Sequence, residues 1–518
     1  MKAVLLKYLG ALLTAILLIL TFPRFNLVWC APIALAPLLI AIAREPHPWR
    51  RFLLGYVAGV LYWFGVCYWI QTVLAFYGGL SSAVAWLAFL LFCLIKALHM
   101  GVFAMLAGIL MKRCWGAAAV PAVAALWVAI EATHGSLGFA WLSLGNAGID
   151  MGLPMRLAPY TSVYGLSFVF LAMATAMALA LLGRPRTQLL WLLPLPFLIF
   201  LPPLPDARRG HESAVLVQPN ISEDAQWTPA SVDAMQRNLA ALSLRAVMTG
   251  GSDHPALVVW PEVPAPLYYD ADPRLREYIA GLARAANTNL LLGVVAHTPQ
   301  GAPLNSAIVV SPDGRLVSRY DKVNLVPFGE FIPWPFDFVK RITTEAGDFT
   351  PGQQVVVSPI DGHKLGTFIC YESVFPNFVR RFVADGAEVL FNISNDGYFG
   401  KSAARLQHLE IVRMRAAENR RWILRVTNDG ITGAIDPAGR LRGTLPLYVE
   451  AASRTGFTYI AERTFYTRFG DWFPLLCAIV AAALLIATAI TNISLDKIPR
   501  SSSPVRETGE TMRLREET

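Results

Sequence analysis

What this sequence has least of is charge. Only 15% of its 518 residues are Asp, Glu, Lys or Arg, against about 25% in soluble globular chains. The shortfall lies in the first two hundred residues and again near residue 480. The chain is 55% hydrophobic and its mean hydropathy is positive. An ordinary soluble enzyme is thereby excluded; the composition describes a polytopic membrane protein carrying one sizeable polar domain. Cysteine is sparse as well. Five of the six, Cys30, Cys67, Cys93, Cys114 and Cys477, lie within or beside hydrophobic runs, so no disulfide framework is implied. Zinc-spaced cysteine pairs, a phosphate-binding glycine loop and nucleic-acid motifs are all missing. The net charge of +8 does not argue for nucleic acid, because the basic residues cluster between hydrophobic runs, where they set topology.

The hydrophobic runs themselves number eight. Seven precede the polar domain, at about Leu9–Phe22, Leu27–Ala43, Phe52–Tyr77, Leu80–Met111, Ala117–Thr133, Tyr160–Leu182 and Gln188–Leu204. The eighth covers about Trp472–Ile490. Most approach the roughly 20 residues that span a hydrocarbon core. Residues 1–22 mimic a signal peptide, but no small-residue cleavage site follows, so they read as an uncleaved first helix. Lys2, Lys7, Arg44, Arg50, Arg51, Lys112, Arg113, Arg184 and Arg186 all fall on one side, as do Lys497, Arg500 and Arg506. The opposite loops offer Arg24 and Arg156. That asymmetry predicts both termini in the cytoplasm and residues 205–471 on the outer face. The expected division is 1–204 as a seven-span bundle, 205–471 as the polar domain, 472–492 as a final span and 493–518 as a disordered tail. The loop from Gly135 to Pro159, with Trp141, is expected at the outer interface. Lys96, His99 and Glu131 lie within spans and are expected to pair with one another.

From Ser213 the pattern changes to short apolar runs alternating with helical stretches, which predicts an α/β domain with helices covering a sheet. Strands are expected at Ala214–Gln218, Ala256–Trp260, Asn289–Ala296, Ser306–Val310, Leu316–Tyr320, Lys364–Cys370, Val389–Ser394 and Trp422–Thr427. Asp313-Gly314 marks a hairpin turn. Expected helices are Ser231–Met248, Pro273–Ala286, Phe375–Asp385 and Ser402–Asn419.

Three of the strand ends carry reactive groups: Glu262 after Val258-Val259-Trp260-Pro261, Lys322 and Glu330 after the hairpin, and Cys370-Tyr371-Glu372 after Leu365–Ile369. A lone buried cysteine is ordinarily a small apolar residue, and a charged residue at a strand end is ordinarily solvated surface. Together they make a chemical set. A thiol needs a base, which Glu262 supplies, and a cation beside it, which Lys322 supplies. The lysine also suits the oxyanion formed when a carbonyl is attacked, and the Tyr371 backbone N–H is a second donor.

These residues resemble the Glu-Lys-Cys constellation of the nitrilase superfamily: Trp260-Pro261-Glu262, then Asp321-Lys322 followed by Leu325-Val326-Pro327-Phe328-Gly329-Glu330, then Cys370-Tyr371-Glu372. With the membrane spans, the chain is similar to the apolipoprotein N-acyltransferase family of Gram-negative bacteria. Ile393–Gly400, Gln407-His408, Arg413–Ala416, Thr427–Thr432, Tyr164–Phe168 and Gln218-Pro219-Asn220 follow in the family's order. Tyr398 stands where the family has tryptophan in an aromatic loop, and Asn146 where it has an aromatic.

The resemblance implies a nitrilase-like αββα sandwich joined to about eight transmembrane helices. It implies Glu262 as base, Lys322 as transition-state stabiliser and Cys370 as nucleophile, supported by Glu330, Tyr371 and Glu372. Trp227, Asn305 and Tyr398 would contact substrate. It implies transfer of an acyl chain from a phospholipid, typically phosphatidylethanolamine, through a Cys370 thioester to the α-amine of a diacylated apolipoprotein. No metal or organic cofactor is called for, and no nucleic acid. The setting is the bacterial inner membrane, with the catalytic domain in the periplasm. A membrane-tethered amidase using water is the alternative; a scaffold or transporter is a second, with no reason to keep all three reactive residues. The aromatic segment with Phe328, Phe331, Trp334, Phe336 and Phe338 is either a lid dipping into lipid or core packing.

Overall fold

Alternate residues of the first polar-domain strand go to two different cores. In the computed structural model, which describes residues 2–114, 118–136, 139–206, 210–249, 254–263, 266–332 and 349–496, that strand is β1 (Glu212–Gln218). Ala214 and Leu216 pack toward a second sheet, while Val215 and Val217 pack under helices. A strand buried on both faces reads as a continuous apolar run, which is why it was legible.

One six-stranded sheet has the order β12-β1-β2-β3-β4-β5 and the other β11-β10-β9-β8-β7-β6. The first adds β2 (Leu257–Val259), β3 (Asn289–His297), β4 (Pro303–Val310), β5 (Leu316–Asp321) and β12 (Ala451–Phe457) to β1. The second holds β6 (Val357–Ile360), β7 (His363–Ile369), β8 (Val389–Ser394), β9 (Ile423–Thr427), β10 (Gly433–Ile435) and β11 (Leu441–Arg442). Each has a parallel centre, β1–β2–β3 in one and β7–β8–β9 in the other, flanked by antiparallel strands. Parallel neighbours need helical crossovers.

Numbered with the membrane helices below, the four crossover helices are α8 (Pro229–Met248) and α9 (Pro273–Ala286) on the first sheet, and α10 (Pro376–Ala384) and α11 (Ala404–Asn419) on the second. Helices thus cover both outer faces of two stacked sheets, the αββα sandwich expected. The eight expected strands are present, with ends shifted by a few residues. β6, β10, β11 and β12 were not anticipated, and Pro359 on β6 shows why: proline is tolerated there because β6 is an edge strand. The expected hairpin at Gly314 joins β4 to β5 with φ of 87° at the glycine.

The apolar part contains α1 (Lys2–Thr21), α2 (Ala36–Ala43), α3 (Pro48–Val66), α4 (Trp69–Phe76), α5 (Ser82–Cys114), α6 (Ala119–Glu131) and α7 (Ala158–Leu181). α12 (Phe465–Phe469) and α13 (Trp472–Asp496) follow the polar domain. Among the described residues four helices are long and apolar enough to cross a membrane, or five if the pair α3 and α4, bent by 57°, counts as one span. The expected segments Leu27–Ala43 and Ala117–Thr133 form shorter helices, and Gln188–Leu204 forms 3-10 turns, Arg186–Leu192 and Pro196–Phe200, around Pro194 and Pro196. Proline removes the donors a regular α-helix needs. The expected pairing of Lys96 with Glu131 is not found. Lys96 Nζ lies over the Trp63 ring at 4.9 Å, and Glu131 accepts from Leu144 N at 2.7 Å and Trp127 Nε1 at 3.1 Å.

The loop around Trp141 forms a joint between the bundle and the polar domain. Trp141 is buried, and its Nε1 donates to Gln407 Oε1 at 2.8 Å. The same oxygen accepts from Trp69 Nε1 at 3.2 Å, and Gln407 Nε2 donates to Pro23 O and Val66 O. Glu418, also on α11, accepts from Ser162 Oγ at 2.6 Å and Val163 N at 2.9 Å of α7. α11 therefore lies between sheet and bundle, buried on both sides. Asn146 turns its Oδ1 to Ser143 N at 2.9 Å, capping its own 3-10 turn.

Candidate active site

The three reactive groups come from strand ends of both sheets and meet where the sheets face each other. Open parallel sheets place sites at the carboxyl ends of their strands. β2 is followed by Trp260-Pro261, which delivers Glu262. Gly293 on β3 donates its N–H to Pro261 O at 3.2 Å, and a Cβ there would sit 2.7 Å from the Glu262 Cα, so only glycine lets the strand pass this close. Lys322 directly follows β5, and its N–H donates to Asn305 O of β4 at 2.8 Å. Cys370 follows β7 and opens the 3-10 helix Cys370–Val374 with φ of 50°. That left-handed conformation is costly for a residue with a Cβ and persists only where its surroundings over-determine it.

Lys322 is buried and divides its ammonium between two carboxylates, Glu262 Oε1 and Glu330 Oε1, each at 2.9 Å. Asn305 Nδ2 bridges the same two oxygens at 2.8 and 2.7 Å. The second oxygen of Glu262 accepts from Asn395 N at 2.8 Å, and that of Glu330 from Val326 N at 2.8 Å. Burial disfavours the Lys322 ammonium, but Glu262 and Glu330 outweigh it and hold its pKa well above the ordinary lysine value. Burial pushes the Cys370 thiol up and Glu262 adds to that; the Lys322 charge and the Ser394 hydroxyl pull the other way without cancelling it. The resting group is therefore a neutral thiol with a carboxylate and an ammonium beside it.

The supporting residues divide by position. Glu372 has no hydrogen bond to the thiol among the described residues. Its Oε1 accepts from Tyr320 OH at 2.6 Å, Val323 N at 2.8 Å and Asn324 N at 3.1 Å, and its Oε2 from Ile369 N at 2.7 Å. It ties the lysine loop to the nucleophile's strand. Burial raises its pKa to about 7, against the opposing pull of the Ile369 N–H and the Tyr320 hydroxyl. Tyr371 donates its hydroxyl to Ala140 O at 3.2 Å and stacks on Phe139 at 5.4 Å, joining the nucleophile's turn to the bundle. Tyr398 is 48% exposed and meets the Tyr77 ring edge-on at 5.3 Å. Trp227, 39% exposed just ahead of α8, makes no hydrogen bond or ring contact to the cluster among the described residues. Trp334, Phe336 and Phe338 lie outside the described residues; Phe328 is 40% exposed.

Two sheets with a carboxylate, a lysine and a cysteine at their strand ends form a carbon–nitrogen hydrolase domain of nitrilase type. Residues 214–452 match the carbon-nitrogen hydrolase family model, and residues 14–176 match the model of the apolipoprotein N-acyltransferase N-terminal domain. The apolipoprotein N-acyltransferase of Geobacter metallireducens is 34% identical over 94% of this chain and 96% of its own. That of Azotobacter vinelandii is 33% identical over 86% and 88%. Among solved structures, an amidase from Nesterenkonia sp. AN1 aligns with 48% of this chain and 93% of its own, at 19% identity and a TM-score of 0.36. The chain belongs to the apolipoprotein N-acyltransferase family; it is an acyltransferase, and the water-using amidase is not favoured.

Sequence reasoning gave no chemistry to the residues beneath the nucleophile. Asp396, His408 and Arg425 are fully buried together, and Ser394 lies beside the thiol. For Ser394, Asp396 and His408 the one signal was that Ile393–Gly400 and Gln407-His408 follow the family's order; Arg425 lay outside those stretches.

Proposed function

We propose that this chain moves a fatty acyl group from a membrane phospholipid, through a thioester on Cys370, to the N-terminal α-amine of an S-diacylglyceryl-cysteine lipoprotein. The supporting observation is the buried Lys322 ammonium shared by Glu262 and Glu330 next to a buried thiol. Glu262 takes the thiol proton as sulfur attacks the ester carbonyl. Lys322 and the Tyr371 N–H hold the oxyanion. Collapse breaks the ester C–O bond, and the lysophospholipid oxygen leaves with the proton from Glu262. In the second stage the neutral α-amine attacks the thioester carbonyl and gives a proton to Glu262 as the C–S bond breaks. That proton returns to sulfur, leaving an amide and a free thiol.

Phosphatidylethanolamine is the donor in this reading. Both substrates are anchored by acyl chains, so the exposed aromatics Trp227 and Tyr398 suit contact with them, while Asn305 holds the two carboxylates in place. The topology belongs to the same reading: eight spans divided at 1–204, 205–471, 472–492 and 493–518, in a bacterial inner membrane. Both termini are cytoplasmic and the catalytic domain periplasmic, on the lysine and arginine asymmetry.

The test supplies purified protein with labelled phospholipid and a diacylated lipopeptide. The expected product is an N-acylated peptide. Release of free fatty acid with the peptide unchanged contradicts the transfer and points to water as acceptor.

A further inference from the structure

The two-stage reaction leaves unused a buried polar network directly beneath Cys370. His408 lies on α11, with Nε2 at 3.1 Å from the Cys370 carbonyl oxygen and 2.9 Å from Ser373 Oγ. Its Nδ1 faces Asp396 Oδ1 at 3.1 Å and Arg425 Nη2 at 3.2 Å. Arg425 donates to Asp396 Oδ2 at 2.6 Å and to Asn392 Oδ1, and Ser394 Oγ donates to Asp396 Oδ1 at 2.8 Å. All of these side chains are buried.

A carbonyl oxygen only accepts, so the nitrogen facing it must carry a proton. The network satisfies the other nitrogen whenever Nε2 keeps that proton. In the neutral ring Nδ1 accepts from the permanently protonated Arg425; in the imidazolium it donates to Asp396. Nε2 keeps its proton in both. The form that bares Nε2 would set its lone pair against those of the Cys370 carbonyl oxygen at 3.1 Å.

The consequence passes through a single peptide. The Cys370 C=O and the Tyr371 N–H belong to the same planar unit, in which the two point in opposite directions. α11 covers the outer face of the second sheet, whereas Glu262 and Lys322 come from the first sheet, on the other side. Drawing the oxygen toward α11 therefore turns the Tyr371 N–H toward the thiol's reaction partners. Tyr371 also sits in the first turn of its 3-10 helix, where an N–H has no intrahelical acceptor. The left-handed φ of Cys370 is the backbone price of that orientation.

We propose that His408 is a positioning residue for the oxyanion hole: its Nε2–H holds the Cys370 carbonyl so that the Tyr371 N–H faces the developing oxyanion, and Asp396 with Arg425 holds the ring from its Nδ1 side. The inference rests on the thioester reading above.

The test compares two reactions of the same sulfur in the full-length enzyme in detergent. Acylation by phospholipid passes through an oxyanion; alkylation by iodoacetamide displaces iodide from a saturated carbon and makes none. His408→Leu is expected to slow Cys370 acylation on the order of 10²-fold, as loss of an oxyanion donor does, with alkylation little changed. His408→Gln, whose amide reaches the Nε2 position, is expected to recover most of the loss, and the shorter His408→Asn is not. If the Leu variant does not fold, the Gln and Asn pair decides. Equal losses in both reactions, unimpaired acylation in the Leu variant, or Gln and Asn variants that behave alike overturn the role. A wild-type enzyme that alkylates at Cys370 yet never becomes acylated brings down the thioester reading, and this role with it.

Discussion

Lys322 Nζ donates to Glu262 Oε1 at 2.9 Å with the lysine 1% exposed. Removing one partner of a buried ion pair strands the other, typically at about 3–5 kcal/mol. Lys322→Met is therefore expected to lose stability of that order and all acyl transfer. Adding Glu330→Gln removes one stranded charge and is expected to restore part of the stability with no activity. Thermal unfolding in detergent beside a turnover assay separates the two effects.

Glu262→Gln isolates the proton transfer. The amide oxygen still accepts from Lys322 or Asn395 but cannot take a proton, and Lys322 keeps Glu330 at 2.9 Å as its counter-charge, so the protein is expected to fold with reduced stability. Thioester formation is expected to fall by about 10²–10⁴-fold, the usual contribution of a general base. Single-turnover acylation measures this, with alkylation of Cys370 reporting access to the thiol.

Glu372 makes stability depend on pH in a defined direction. Its folded pKa of about 7 lies above the ordinary carboxyl value of 4.5, so the folded state holds this proton more tightly than the unfolded state. The stabilising contribution is complete below about pH 4.5 and is lost as pH rises through about 7, a change on the order of 3 kcal/mol. Glu372→Gln is expected to flatten that part of the profile. Thermal midpoints from pH 5 to pH 8 for both proteins check it, and parallel profiles contradict it.

Gln407 joins the polar domain to the bundle through four hydrogen bonds. Gln407→Leu leaves two indole N–H groups and two carbonyls without it, at about 1–3 kcal/mol for each group left unpaired in the interior. The expected result is a polar domain that unfolds or is cleaved by protease separately from the helices. An unchanged single transition contradicts the joint.

The sequence made the strand-borne chemistry legible and hid the helix-borne part. Glu262 and Cys370 each end an apolar run and Lys322 follows a strand marked by its hairpin turn, so a reactive residue at the tip stood out. α11 does not advertise itself. Arg405, Gln407, His408, Glu410, Arg415 and Glu418 are all buried on it, yet such a helix reads as solvated until the sheet and the bundle are seen on its two sides. Glu372 was readable as an acid near the site but not as a strut, because its partners are backbone N–H groups that side-chain patterns do not report. The strands β10, β11 and β12 are short or interrupted by polar residues, and only pairing with neighbours defines them.

Intact-mass measurement of purified protein after incubation with phospholipid tests the central claim most directly. The account predicts the mass of one acyl chain on the wild type, removed by hydroxylamine and absent from Cys370→Ala. A wild type that gains no acyl mass, or a Cys370→Ala variant that gains the same mass, contradicts it.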